Sequence, residues 1–292
     1  MKRVFSLAAA LLLCFSLWGC CAPGKPAQIA ATTLPVYEFT LRLCEGTGLT
    51  VTRLVTESVS CLHDYSLNVR QVQAAEAAEV TVLSGAGLEE FMEDILSGQV
   101  IDASVGIPLI ECEETHDHEE HDHGHSHEED PHFWLSPANA KLMAQNICRG
   151  LCDAYPEHTE AFQGNLAALL SDLDTLEQYG EHTLAELSCR ELITFHDGFA
   201  YFAQAFGLTV LRAVEEESGS EASARELTEL ITLVRRHDVP AIFTETNGST
   251  SAARIICAET GAKAYALDMA MSGSSYFEAM YHNIDIIKEA LE

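Results

Sequence analysis

The residues with the clearest chemistry are histidines and acids. Within residues 111–130 stand His116, His118, His121, His123, His125 and His127, together with ten acids and neither lysine nor arginine. Imidazoles interleaved with carboxylates are ligands for divalent metals, and nitrogen donors suit zinc better than harder ions such as manganese. Three further histidines stand apart from this run: His63 in Cys61-Leu62-His63-Asp64-Tyr65, His132 in Asp130-Pro131-His132-Phe133-Trp134, and His196 in His196-Asp197-Gly198-Phe199. Three imidazoles with one carboxylate, for which Asp268 is available, would suit a four-coordinate zinc ion at about 2.0 to 2.2 Å. Their spacing is too wide for a local motif, so the fold has to bring them together. Cys61 is a soft-ligand candidate, sharing a face with His63 on an extended segment.

The elements that must do this positioning follow from periodicity. Short apolar runs at 29–33, 49–55 and 79–83 read as strands of a first lobe, and runs at 192–195, 208–214, 241–245 and 264–267 as strands of a second. Their alternation with helical or loop sequence implies two α/β sheets. His196 and Asp268 fall at the carboxyl ends of strands, where ligands collect in open α/β sheets. Between the two sets, Phe162, Leu166, Leu169, Leu170, Leu173, Leu176, Leu184 and Leu187 follow helical spacing, with Pro156 suited to a first turn. A helix over 156–187 would be roughly 45 Å long, enough to run along two lobes.

The chain opens with Lys2 and Arg3 before an apolar stretch, 4–18, which is shorter than the about 20 residues a membrane span needs and reads as an export signal. It ends in Leu17-Trp18-Gly19-Cys20, which resembles a bacterial lipoprotein signal. Residues 1–19 are therefore expected to be removed, Cys20 to carry lipid, and 20–27 to form a tether. Forty-five acids against sixteen basic residues give a formal charge of −29. That balance argues against a nucleic-acid partner and for a surface that attracts cations. The cysteines lack the spacing of a zinc ribbon or a disulfide scaffold. Cys148 and Cys152, one helical turn apart, read as helix residues rather than a disulfide.

Longer segments then carry a resemblance. Thr32-Thr33-Leu34-Pro35-Val36-Tyr37-Glu38-Phe39, His63-Asp64-Tyr65, Gly85-Ala86-Gly87-Leu88-Glu89, Asp130 to Pro137, His196 to Phe202 and Ile242-Phe243-Thr244-Glu245 together resemble the metal-binding lipoproteins of bacterial zinc and manganese ABC importers. The resemblance covers almost the whole mature chain.

It implies an α/β architecture of two lobes, each a central sheet flanked by helices, joined by one long helix, with a metal site in the cleft. It divides the chain into 28–155, a linking helix 156–187, and 188–292. It implies His63, His132 and His196 as ligands, with Asp268 a fourth and Glu245 or water its rivals. Manganese-selective members usually place a glutamate at the position of His196, so the third imidazole points to zinc. Zinc-specific members also carry a His-rich acidic insertion before the second ligand, so 111–130 is expected to be a disordered loop accessory to a preformed site. The implied function is capture of Zn2+ outside the cytoplasm by a lipid-anchored monomer, and its delivery to an ABC permease and its ATPase. A manganese or iron carrier, a surface adhesin and a zinc hydrolase using Asp64 or Asp197 as base are the alternatives. Asp64 and Asp197 read better as partners that orient an imidazole or cap a turn.

Overall fold

A computed structural model of the chain describes residues 27–57, 62, 65–111, 129–214, 223–246 and 250–292. The export signal, Cys20, Cys61, His63, Asp64 and the six histidines from His116 to His127 lie outside the described residues.

Two four-stranded parallel sheets form the frame. The first holds β1 (Ile29–Ala31), β2 (Val51–Arg53), β3 (Val80–Leu83) and β4 (Gln99–Asp102) in the order β2-β1-β3-β4. The second holds β5 (Glu191–Thr194), β6 (Thr209–Ala213), β7 (Ala241–Glu245) and β8 (Lys263–Leu267) in the order β6-β5-β7-β8. Helices α1 (Leu34–Leu43), α2 (Val69–Ala77), α3 (Pro137–Ala154), α4 (Thr159–Thr183), α5 (Ala200–Ala205), α6 (Ala224–His237), α7 (Ser251–Thr260) and α8 (Tyr276–Leu291) accompany them. In both sheets the chain moves outward after the first strand and then returns past it. The switch points therefore lie between β1 and β3 and between β5 and β7, where side chains at the carboxyl ends enclose a crevice.

The two crevices are used differently. In the first, Glu89 is fully buried and accepts from Thr32 Oγ1 at 2.6 Å, Ser84 N at 2.8 Å and Gly85 N at 3.0 Å. Burial holds its carboxyl above the ordinary range in spite of these donors. Glu89 thus pins the ends of β1 and β3 and fills the crevice itself. In the second, β7 ends on Glu245, and His196 follows β5.

The long helix is shorter than its periodicity predicts. Pro156–His158 is a 3-10 turn and α4 ends at Thr183, giving 25 helical residues, or about 37 Å. Leu184 is buried and Leu187 packs against the core although both lie beyond the helix, so their spacing extends the apolar stripe past its end. α4 touches both halves. Asn165 Nδ2 donates to the Leu43 and Glu45 carbonyls at the end of α1, while Tyr179 donates to Asp285 on α8 at 2.6 Å. A Cβ on Gly180 would stand 2.2 Å from the Phe206 ring, so the helix needs a glycine to approach the second lobe.

The segment after β8 stitches the lobes together. Leu34 N–H donates to the Met271 carbonyl, Arg53 to the Gly273 carbonyl, and Tyr276 donates its hydroxyl to the Trp134 carbonyl at 2.8 Å. Tyr276, Trp134, Phe39 and Met271 are all buried in one continuous core. No helix among the described residues is long and apolar enough to cross a membrane. Cys148 and Cys152 are free thiols on α3, and burial pushes the Cys148 thiol up to about 12, which leaves it unreactive.

Candidate metal centre

His132 precedes a 3-10 turn, Phe133–Leu135, whose three residues are buried. That turn plugs His132 into the core at 2 % exposure. Its orientation is set from behind: Asp130 Oδ1 accepts both the His132 backbone N–H at 2.9 Å and ring Nδ1–H at 2.8 Å. His196, two residues beyond the end of β5, is held in the same manner, with Glu245 Oε1 2.8 Å from its Nδ1. A carboxylate at Nδ1 keeps the proton there and leaves the Nε2 lone pair free.

Those two lone pairs meet. His132 Nε2 and His196 Nε2 stand 3.3 Å apart, with the rings nearly perpendicular at 84°. Two nitrogens bound to a tetrahedral zinc ion at about 2.0 to 2.1 Å would be about 3.3 to 3.4 Å apart. With both Nδ1 atoms protonated, the facing nitrogens repel unless a proton or cation lies between them. Three carboxylates, on Asp130, Asp197 and Glu245, surround the pair. Burial, and next the nearby Asp130 charge, push the Asp197 carboxyl above its ordinary range, while His132 and His196 pull it down. The surroundings favour positive charge.

Gly198 makes the approach possible. A Cβ there would lie 2.9 Å from His196 Cδ2 and 3.0 Å from His132 Cγ. The glycine is visible in the sequence directly after His196-Asp197, but nothing in its local context signals that it must admit two rings.

The remaining candidates are placed as follows. Asp268 sits immediately beyond β8, its backbone N–H and carbonyl both bonded to the Asn283 side chain. Its Oδ1 accepts from Ala270 N at 2.8 Å, stabilising a turn in which Ala270 adopts φ 54°. Glu245 lies behind His196, at the ring nitrogen remote from His132. Among the described residues no group of three His, Cys, Asp or Glu side chains is arranged to hold a metal. His63, Cys61 and the accessory histidines lie outside those residues.

Comparisons with known proteins identify the family. The family model described as "Zinc-uptake complex component A periplasmic" matches residues 29–290. The high-affinity zinc uptake system protein ZnuA of Bacillus subtilis (strain 168) is 30% identical over 92% of this chain and 88% of its own. The zinc-binding lipoprotein AdcA of Streptococcus pneumoniae (strain ATCC BAA-255 / R6) is 28% identical over 100% of this chain, which spans only 62% of that relative's length. A crystal structure of ZnuA superposes with a TM-score of 0.78 at 29% identity, covering 90% of this chain and 99% of that one. The Zn(II)-bound ZnuA-like domain of pneumococcal AdcA superposes at 0.76 with 26% identity, covering 92% and 99%. With a family model spanning nearly all the described residues, and with two parallel-sheet lobes beside a long helix, this chain belongs to the ZnuA family of periplasmic zinc-uptake components.

Proposed function

We propose that the chain captures Zn2+ in the cleft between its lobes and delivers it to an ABC permease, with His63, His132 and His196 as imidazole ligands and Asp268 completing the shell. In this reading residues 28–155 and 188–292 supply the two walls, and the zinc ion is cargo rather than a resident cofactor. The observation that carries it is the 3.3 Å separation of two Nε2 atoms, each on a ring whose Nδ1 faces a carboxylate. The separation suits two ligands of one tetrahedral ion, and the backing carboxylates strengthen the rings as donors. Glu245 acts through His196, and Asp268 is the fourth ligand that the resemblance implies. An all-imidazole trio favours zinc over manganese, because nitrogen donors suit the softer ion.

Cys20 carries the lipid that keeps the protein on the outer face of the membrane near its permease, and the chain works as a monomer. The six histidines from His116 to His127 act as an accessory, raising the ion concentration at the cleft by tethering weak sites beside it.

The test is competitive titration of the purified mature chain with zinc and manganese, alongside His132→Ala. One tight zinc per chain is expected, with a preference over manganese of about a hundredfold or more, and His132→Ala should lose most of that affinity. Equal affinity for the two metals, or a His132→Ala variant that binds zinc as the parent does, overturns the reading.

A further inference from the structure

We propose that Tyr201 is a positioning residue for the metal centre, coupling the orientation of His132 to the helix that follows His196 and to the stem of the His-rich segment. The inference rests on the function proposed above and adds a residue that touches no ligand atom of the two imidazoles.

Tyr201 lies on α5, the helix that begins shortly after His196, and its side chain is buried. Its phenol oxygen works in two directions. It accepts the Ile110 backbone N–H at 2.8 Å and donates to the Asp130 backbone carbonyl at 2.8 Å. Ile110 and Asp130 are themselves joined, Asp130 N–H donating to the Ile110 carbonyl at 2.8 Å, and Glu111 pairs with Glu129 in an antiparallel bridge. One hydroxyl therefore fastens both sides of a stem to the second lobe.

Asp130 is where this stem meets the metal centre. Its backbone carbonyl is held by Tyr201, while its side chain holds both the backbone and the ring of His132. The other carboxylate oxygen, Oδ2, is buried without a hydrogen-bond partner among the described residues. The aspartate is thus steered by its backbone rather than by a second side-chain bond, and among the described residues Tyr201 is the side chain that donates to its carbonyl. Loss of that hydroxyl leaves the buried Asp130 carbonyl and the half-buried Ile110 N–H without this partner and frees the stem to shift, carrying Asp130 and the His132 ring with it.

Tyr201→Phe removes the hydroxyl and keeps the ring, which packs edge-on against Phe133. Zinc affinity of the intact chain should fall about tenfold, the lower end of what the loss of a supporting partner costs a metal ligand. Co2+ bound at the tight site should show altered visible bands, since the His132 ring no longer meets the ion at the same angle. Tyr155→Phe is the control, because Tyr155 donates to Glu79 and has no bond to the stem. That variant should lose stability without changing zinc affinity or the Co2+ spectrum.

In the parent chain, the Ile110 and Asp130 amides should exchange about tenfold more slowly when zinc is bound. This measurement stands if Tyr201→Phe fails to fold. Zinc affinity within twofold of the parent and an unchanged Co2+ spectrum overturn the proposal, as does an equal loss in Tyr155→Phe or stem amides indifferent to zinc. His132→Ala separates the two claims. If it loses zinc while Tyr201→Phe does not, only the positioning role falls; if it binds zinc as the parent does, the site reading falls first.

Discussion

Trp134 donates its indole Nε1–H to the backbone carbonyl of Met269 at 2.8 Å, across the boundary between the lobes. The bond joins the segment that carries His132 to the one that carries Asp268. Trp134 is fully buried, and its own carbonyl accepts from Tyr276. The two lobes are therefore clasped beside the candidate metal centre as well as along α4. Trp134→Phe removes the donor and leaves a smaller ring in a packed site, so it should cost about 2 to 4 kcal/mol of stability by denaturant unfolding. The same clasp limits closure. Solution scattering with and without zinc should show a change in radius of gyration below about 1 Å, and a contraction of several ångströms would mean that the clasp opens in the free protein.

Gly198→Ala tests the close approach of the two imidazoles. The added methyl would stand 2.9 Å from one ring and 3.0 Å from the other, too near for either to stay in place. Its third neighbour, Met269 Cε at 2.5 Å, can move aside because it ends a flexible side chain. Zinc affinity should drop by about tenfold or more, with an overpacking cost of about 1 to 3 kcal/mol. Calorimetry that finds parental affinity in this variant would show that the rings have room to spare.

Asp130→Asn and Glu245→Gln address the carboxylates behind the rings. Each amide keeps the shape but loses the charge that fixes the Nδ1 proton, so zinc affinity should fall about 10- to 100-fold in each, with one zinc still bound per chain. Affinity within twofold of the parent would mean that the rings keep their orientation without these partners.

Much of this frame is legible in the sequence, and the gaps have physical causes. The seven expected strands all appear, because each carries apolar or β-branched residues bounded by loop or helical sequence. β4 escapes such a reading: Gln99-Val100-Ile101-Asp102 is an edge strand with only Ile101 buried, so it carries no apolar run. The long helix is overestimated because Leu184 and Leu187 continue its stripe into a loop. The meeting of His132 with His196 is a matter of topology, since nothing in their separate sequence contexts fixes the distance between them. The roles of Asp130 and Glu245 behind the rings depend on which nitrogen each carboxylate faces, a detail that residue type does not reveal.

Glu38 provides a pH test of the lobe boundary. From α1 it accepts the Tyr276 backbone N–H at 2.6 Å and the Ser275 hydroxyl at 3.2 Å, capping the N-terminus of α8 from the other lobe. Burial, the largest influence, holds its carboxyl above the ordinary value of 4.5, although the Tyr276 and Ser275 bonds and Arg42 pull it down. A raised value means that the native state holds this proton more tightly than the unfolded chain. The resulting stabilisation is complete below pH 4.5 and is lost as pH rises through the native value. Glu38→Gln cannot titrate, so the parent should lose stability relative to this variant as pH increases across that window. Urea midpoints at a series of pH values would read the difference; a parent that instead gains on Glu38→Gln would mean that the helix-end bonds outweigh burial.

The last prediction separates the His-rich segment from the folded centre. Glu111 and Glu129 are paired at its base, so residues 113–128 can be replaced by a short Gly-Ser turn without disturbing Asp130 or His132. The variant should still bind one zinc tightly, because the two facing imidazoles are held by Asp130 and Glu245 and not by the replaced residues. It should lose the weaker binding events that depend on His116, His118, His121, His123, His125 and His127. Those sites are weak because fixing the chain around an ion costs about 1 to 2 kcal/mol for each residue ordered. Capture from scarce zinc should slow as well, since the tethered imidazoles no longer concentrate the ion at the cleft. Calorimetry resolves the two classes of event in one titration. If the tight event disappears with the segment, the histidine run is itself the principal site, and the pair formed by His132 and His196 is a structural contact.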